Sequence, residues 1–345
     1  MLFWYELKKI LSGTALWVFV ALCIVFNIWT IPTGLNNGLD TTTPFPANVF
    51  ENYNTSEIAE AYISFFGLTG RVAERMRVKY EDLQMVVDEK AVAGDSFSAY
   101  FGEQTSVMHL NLFHNVGFMG RLLFQGILLA VLLALLGVGY EQINHTEYSV
   151  YATKTGRRIL RYKIAASLAA GIGLYAILTT ITLSIYFAVF DYGNVWNSSV
   201  SSGFNYINIG NIMGDRPFTT WQSFTIASYL WAIVGVSLGL IICFSLMGAM
   251  IGILSRNAYL GFLMVVLVNA VCMVLPLIIS RNLYSHYMMF YTPIMLWFNS
   301  GLWFTDGSFM TLWRNFELWG TGVSVLALAV LCVLAVKKFE KRDIA

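Results

Sequence analysis

Charge is scarce in this chain. Only 12% of its 345 residues are Asp, Glu, Lys or Arg, against about 25% in soluble globular proteins. That deficit excludes an ordinary water-covered surface. Lys and Arg number 21 and Asp and Glu 20, for a net charge of +1. No basic domain is therefore present to hold a nucleic-acid backbone. Cysteine is also rare: Cys23, Cys243, Cys272 and Cys332 all fall within apolar runs. They form no disulfide framework or zinc spacing and read as small buried hydrophobes. The four histidines, His109, His114, His145 and His286, are scattered over three segments. Metal ligands on one element are spaced to share a face, so these read as surface or interfacial residues and no metal is expected. No G-x-x-x-x-G-K-[ST] or H-E-x-x-H occurs, which removes the usual phosphate-binding loop and zinc-protease helix. No catalytic residue and no cofactor is expected in this chain.

Apolar residues are plentiful: 57% of the chain is hydrophobic and 15% aromatic. Repeated apolar runs of roughly 20 residues predict an all-α membrane protein. Six spans are expected, at about 13–31, 122–139, 164–190, 224–254, 258–280 and 318–336. None of these intervals contains Asp, Glu, Lys, Arg or His. Ion-coupled pumps place such groups within their spans, which argues against proton coupling and leaves sodium held by carbonyls open.

The polar stretch at 141–163 orients the spans. It carries Lys154, Arg157, Arg158, Arg161 and Lys163, and a positive cluster of that density beside membrane spans marks the cytoplasmic side. With both termini inside, the inner segments hold twelve Lys and Arg: those five, Lys8, Lys9, Arg256, Lys337, Lys338, Lys341 and Arg342. The short outer loops hold three, Arg216, Arg281 and Arg314. The loop is also the longest predicted inner segment, and so the natural grip for a cytoplasmic partner.

Three domains follow. Residues 1–31 comprise a short interfacial helix and the first span. In the helix, Leu2, Phe3, Trp4 and Ile10 would face lipid while Glu6, Lys8 and Lys9 face water. Lys8 and Lys9 before an apolar run also fit a secretory signal, but the run is long and no small-x-small cleavage site follows. Residues 32–121 are a polar insertion, with eleven acids against six bases, which suits an extracellular domain. Pro32, Asn36-Asn37-Gly38 and Pro44-x-Pro46 open it as loop. A helix should start at Asn54 with Glu57 three residues on. Val72, Met76, Tyr80, Leu83 and Val87 recur at a helical period. Gly67 and Gly70 separate the two helices, and Gly94-Asp95 ends the second.

Residues 122–345 hold spans two to six. Within them, 191–220 reads as a short outer loop. Residues 281–317 are rich in aromatics, including Tyr284, Tyr291, Trp297, Trp303 and Trp313, but broken by Pro293, Asn299-Ser300-Gly301 and Asp306-Gly307. Two half-helices dipping into the outer leaflet suit that pattern. Gly235 and Gly239, Gly248 and Gly252, and the small residues Ala165–Gly173 allow close helix approach, within one bundle or across a dimer seam.

Together these features resemble the six-span permease subunits of type-2 ATP-binding-cassette exporters. The resemblance rests on the elbow helix with Trp4, Glu6 and Lys8, the insertion after span one, the loop between spans two and three, the aromatic re-entrant hairpin, and the basic tail. In that family the inner loop holds a coupling helix. Glu147 matches its acid, Thr155-Gly156-Arg157 its middle and Lys163 its closing base. Tyr148-Ser149-Val150 stands where the family has Gly-Thr. The resemblance implies that Glu147, Tyr148, Thr155, Gly156, Arg157, Arg158 and Lys163 dock a separate cytoplasmic nucleotide-binding ATPase, which binds ATP and Mg. It further implies a second permease chain, identical or homologous, a lipid surround, and location in a bacterial plasma membrane. The implied cargo is amphipathic or hydrophobic, a peptide antibiotic, a bacteriocin or a lipid-like molecule moved outward. The alternative is a non-transporting membrane sensor or scaffold that binds a ligand through the insertion. A lipid-modifying intramembrane enzyme is weaker still, because no paired acids or metal cluster are evident.

Overall fold

The computed structural model describes residues 1–33, 50–93, 112–113, 117–152, 156–190, 192, 196–197, 199–208, 215–255 and 257–341, with the backbone alone at 147, 202–208 and 215–216. The loop at 36–46, the helix end at Gly94-Asp95, His109, His114, Lys154, Thr155, Arg256 and Arg342 lie outside the described residues.

The chain opens with α1 (Leu2–Leu11), then α2 (Thr14–Thr33). Next come α3 (Thr55–Phe66) and α4 (Gly70–Ala93). The bundle continues with α5 (Phe118–Ile143), a short α6 (Glu147–Tyr151), a 3-10 turn at Gly156–Arg158 and α7 (Ile159–Val189). An antiparallel pair, β1 (Ser202–Asn208) and β2 (Asp215–Phe218), interrupts the helices within the segment expected to be a plain loop. After it come α8 (Ile226–Ser255), α9 (Ala258–Ile278), the short α10 (Tyr284–Met289) and α11 (Pro293–Phe298), and finally α12 (Phe316–Glu340). Six of these helices, α2, α5, α7, α8, α9 and α12, are long and apolar enough to cross a membrane.

Burial ranks the six. In α5, 78% of the apolar window is covered by protein, in α9 only 17%. Helix α5 is the axis of the bundle because its small residues admit neighbours on several sides. Gly126 lies against Tyr175 of α7 and Ile241 of α8, and Gly137 against Ser167 of α7. Helix α9 instead exposes Leu263, Leu267, Val274 and Leu277. A helix apolar all round needs lipid or protein on every face, so its outer face belongs in hydrocarbon. The chain is a multi-pass membrane protein.

Helices α8 and α12 enter the bundle from the same end but begin at different depths. A Cβ at Gly239, midway along α8, would strike Thr321 in the second turn of α12. At 1.5 Å per residue, α12 starts about 12 Å nearer the middle of the bundle than α8 does. Residues 279–315 occupy the space above it. Ser324 Oγ donates to Tyr291 O at 3.4 Å, Trp297 Nε1 to Gly120 O at 3.2 Å, and Tyr229 Oη to Trp303 O at 3.1 Å. Trp303 is fully buried.

The α3–α4 pair has its own core. Asn54 Oδ1 accepts from Ser56 N at 3.0 Å at the start of α3, and Gly67, at φ 59°, ends it. The buried face of α4, Val72, Met76, Tyr80, Leu83 and Val87, packs with Tyr62 of α3 and with Trp221, Tyr287 and Leu312. The pair therefore rests on the segments that precede α8 and α12.

Candidate functional site

Among the described residues, the long helices α5, α7 and α12 carry buried charge at two places. The first joins α1 to the α5–α7 corner. Glu6 and Lys9 stand three residues apart on one face of α1, and Lys9 Nζ donates to Glu6 Oε1 at 3.0 Å. Lys9 also donates to Glu141 Oε1 at 3.0 Å, and its ammonium lies 4.3 Å from the Tyr140 ring centroid. Lys163 donates to the other oxygen of Glu141 and to Gly137 O at 3.2 Å, with Glu6 Oε2 at 3.8 Å. Each carboxylate is thus shared by two ammonium groups and the cluster is neutral. Side-chain exposure is 1% for Glu6 and Lys163 and 2% for Glu141. Charges so buried are tolerated only when paired and hydrogen-bonded. Glu141 lies in the last turn of α5, where the helix dipole disfavours an acid, and the two lysines offset that.

This geometry corrects the expectation for α1. Glu6 and Lys9 face the bundle rather than water. Trp4 and Tyr5 remain 69% and 67% exposed and Lys8 is exposed, so α1 has an outer face of two rings and one charge and an inner face that is ionic.

The residues expected at the inner loop separate into groups. Glu147 opens α6, and its side chain lies outside the described residues, as does the whole of Thr155. Tyr148 projects from α6 with 65% exposure. Gly156 adopts φ 50°, a left-handed conformation that lets the chain reverse from α6 into α7. Arg158 is exposed. Arg157 Nη1 donates to Glu340 O at 3.2 Å, and Arg161 grips the Glu340 carboxylate with two bonds of 2.8 Å. Tyr151 packs edge-on against Phe339. The end of α12 is thereby fastened to the loop. Lys163, buried in the ion cluster, presents no surface. The loop is therefore a small platform tied to α1, α5, α7 and α12, with Tyr148 and Arg158 on its outside.

The second buried charge is Glu317, in the first turn of α12. It is 0% exposed. Its carboxylate makes no hydrogen bond of good geometry among the described residues; the backbone amides of Phe304 and of Glu317 itself face it. The sequence reading placed position 317 at the edge of the hairpin, outside any span. The structure places it inside the helix, one turn before Thr321 and close to mid-bundle. At the same end, His286 Nδ1 contacts Ile279 O at 3.1 Å, and burial, with Arg281 adding to it, holds this imidazole below its usual pKa.

Among the described residues no three of His, Cys, Asp and Glu gather as metal ligands. The small-residue positions act mostly inside the bundle. A Cβ at Gly248 would come 3.1 Å from Ala134 Cβ and 3.2 Å from Val131 O, and one at Gly252 would meet Leu135 and Val138, whereas a Cβ at Gly235 or Gly173 would meet nothing within 4 Å. Sequence reasoning missed the ion cluster and Glu317. The first had a readable sign, an i, i+3 acid–base pair on an amphipathic helix; the second had none. Comparison with protein-family models, curated proteins and solved structures returns no match for this chain.

Proposed function

We propose that this chain is the membrane-spanning permease subunit of an ATP-binding-cassette exporter. The observation that carries the reading is the ion cluster of Glu6, Lys9, Glu141 and Lys163. It fixes an amphipathic N-terminal helix to both helices that flank the loop, so a push on the loop reaches α1, α5 and α7 as one body. The Arg161–Glu340 pair extends that body to α12. A passive conduit driven by an external ATPase needs such a rigid lever. On this reading the loop end is cytoplasmic, α1 is the interfacial elbow, and α3–α4 is extracellular. The segment 279–315 is the re-entrant hairpin; its contacts as deep as Ser324 support that.

Tyr148, Arg158 and the acid Glu147 dock the ATPase, which supplies ATP and Mg chemistry in its own chain. Lys163 acts inside the lever rather than at the docking surface. A second permease chain completes the pathway, and lipid covers α9. The cargo class that suits an apolar bundle is an amphipathic peptide or lipid-like molecule, moved outward across a bacterial plasma membrane.

The test is isolation of the full chain in mild detergent from its native membrane. A nucleotide-binding ATPase should accompany it, and deleting residues 148–154 should abolish that association while the chain remains folded. An undiminished complex after the deletion removes the docking assignment. The separate core of α3–α4 keeps one competing reading in play, a ligand-binding sensor. Ligand-dependent signalling by a chain that copurifies with no ATPase would favour it.

A further inference from the structure

The turn that leads into α12 has an unusual interior. Between Phe304 and Thr311 three residues take left-handed conformations: Phe304 at φ 62°, Gly307 at 62° and Ser308 at 55°. Only glycine does so without steric cost, so the turn is held in a shape its side chains disfavour. That shape turns three main-chain carbonyls to one point. Lys79 of α4 fills the point. Its Nζ donates to Asp306 O at 3.1 Å, to Ser308 O, and to Thr311 O at 2.9 Å. An ammonium has three hydrogens and no acceptor, so three carbonyls satisfy it completely. The Tyr80 ring centroid lies 4.5 Å from the same nitrogen, a favourable cation–π distance. Tyr80 Oη in turn donates to Asp306 Oδ2 at 2.6 Å, and Asp306 is the one acid in the turn. Lys79 is 2% exposed. Lysine is almost never buried so deeply without such compensation.

We propose that the 304–311 turn is a receptor for a primary ammonium group, occupied in this structure by Lys79 of the same chain. The three convergent carbonyls and the Asp306 carboxylate of the turn match that ligand and no anion, while the neighbouring aromatic face, Tyr80, comes from α4 with Lys79. A quaternary ammonium has no hydrogen to give the carbonyls, and a planar guanidinium cannot serve three acceptors arranged around one nitrogen. Occupation in cis clamps α4 to the chain five to ten residues before α12, next to Tyr62, whose hydroxyl pairs with Ser308 Oγ at 2.6 Å. The clamp joins the α3–α4 unit to the last span without any covalent link. A free amine on a peptide carries the same chemistry as Lys79, and release of α4 would leave the receptor open to it. The inference does not depend on the exporter reading, because it concerns the purified chain alone.

The experiment uses the full chain in detergent. Lys79→Ala removes a side-chain portion equivalent to propylammonium. Thermal unfolding of this variant should begin several degrees below the unaltered chain. Propylammonium chloride should raise the midpoint saturably towards the original value, while tetramethylammonium chloride at equal ionic strength and propanol should not. The unaltered chain should respond to none of them. A folded variant that melts like the original, or that ignores propylammonium, overturns the proposal. Should Lys79→Ala give no folded protein with or without propylammonium, the unaltered chain decides. Under native acetylation Lys79 should stay unmodified while exposed lysines such as Lys8 react; modification of Lys79 at their rate overturns the proposal.

Discussion

At the scale of single residues, the charged side chains do opposite things at the two ends of the bundle. Glu6, Lys9, Glu141 and Lys163 cancel one another within hydrogen-bond reach. Removing one member leaves an uncompensated buried charge, which costs about 3–5 kcal/mol, whereas replacing a whole pair by apolar groups is often neutral. Lys163→Met should therefore destabilise the chain by about that amount, and the double change Glu141→Met with Lys163→Met should recover most of the loss. Thermal unfolding of the three variants beside the unaltered chain measures this. A double-variant loss equal to the sum of the two single losses would mean the pair is not coupled. Glu317 lacks such partners among the described residues. Its burial against the backbone of Phe304 follows from the depth at which α12 begins, not from any local sequence signal.

At the scale of elements, packing distance assigns the small residues. Helix α8 approaches α5 closely at Gly248, where a Cβ would come within 3.1 Å of Ala134 Cβ and 3.2 Å of a backbone carbonyl. A larger side chain there must separate the two most buried helices. Gly248→Val should lower the unfolding midpoint markedly, with a cost of about 1–3 kcal/mol or more as expected for overpacking. Gly235→Ala should be neutral or slightly stabilising, because nothing lies within 4 Å of that position and alanine favours helix. A similar penalty at both sites would point to a second chain on the Gly235 face. The same scale explains the elements that sequence period revealed. The apolar stripe of α4 is legible because Val72, Met76, Tyr80, Leu83 and Val87 all fall on one face and all are buried. Lys79 was not legible. Its position beside Tyr80 reads as the edge of a solvated face, and only the carbonyls of 306–311, more than 220 residues away in sequence, make it a core residue.

At the scale of the whole molecule, orientation decides the rest. If the loop end is cytoplasmic, a cysteine placed at Tyr148, which is 65% exposed, should react with an impermeant thiol reagent only after the cell membrane is opened. The native cysteines are buried or half-buried within spans, so background labelling should be low. Labelling of Tyr148→Cys in intact cells would invert the topology, place α3–α4 inside, and remove the exporter assignment. Distance along the chain matters at this scale too. The residues that carry α3–α4, Trp221, Tyr287 and Leu312, belong to two connecting segments, one before α8 and one between α9 and α12, so the insertion rests on the approaches to both α8 and α12.

The amino-acid sequence by itself determined that six helices are long and apolar enough to cross a membrane. A run of about 20 apolar residues can satisfy its backbone in lipid only as a helix, and that requirement is local. It also determined the helical period of α4 and the break at Gly67, for equally local reasons. The tertiary structure alone decided which charges are silent and which are exposed. Glu6 and Lys9 turned inward because Glu141 and Lys163 wait there, and Lys79 entered the 304–311 turn because strained backbone aimed three carbonyls at it. Such pairings join residues far apart in the chain, and the electrostatic cost of burying each one is met only by a partner that folding brings near.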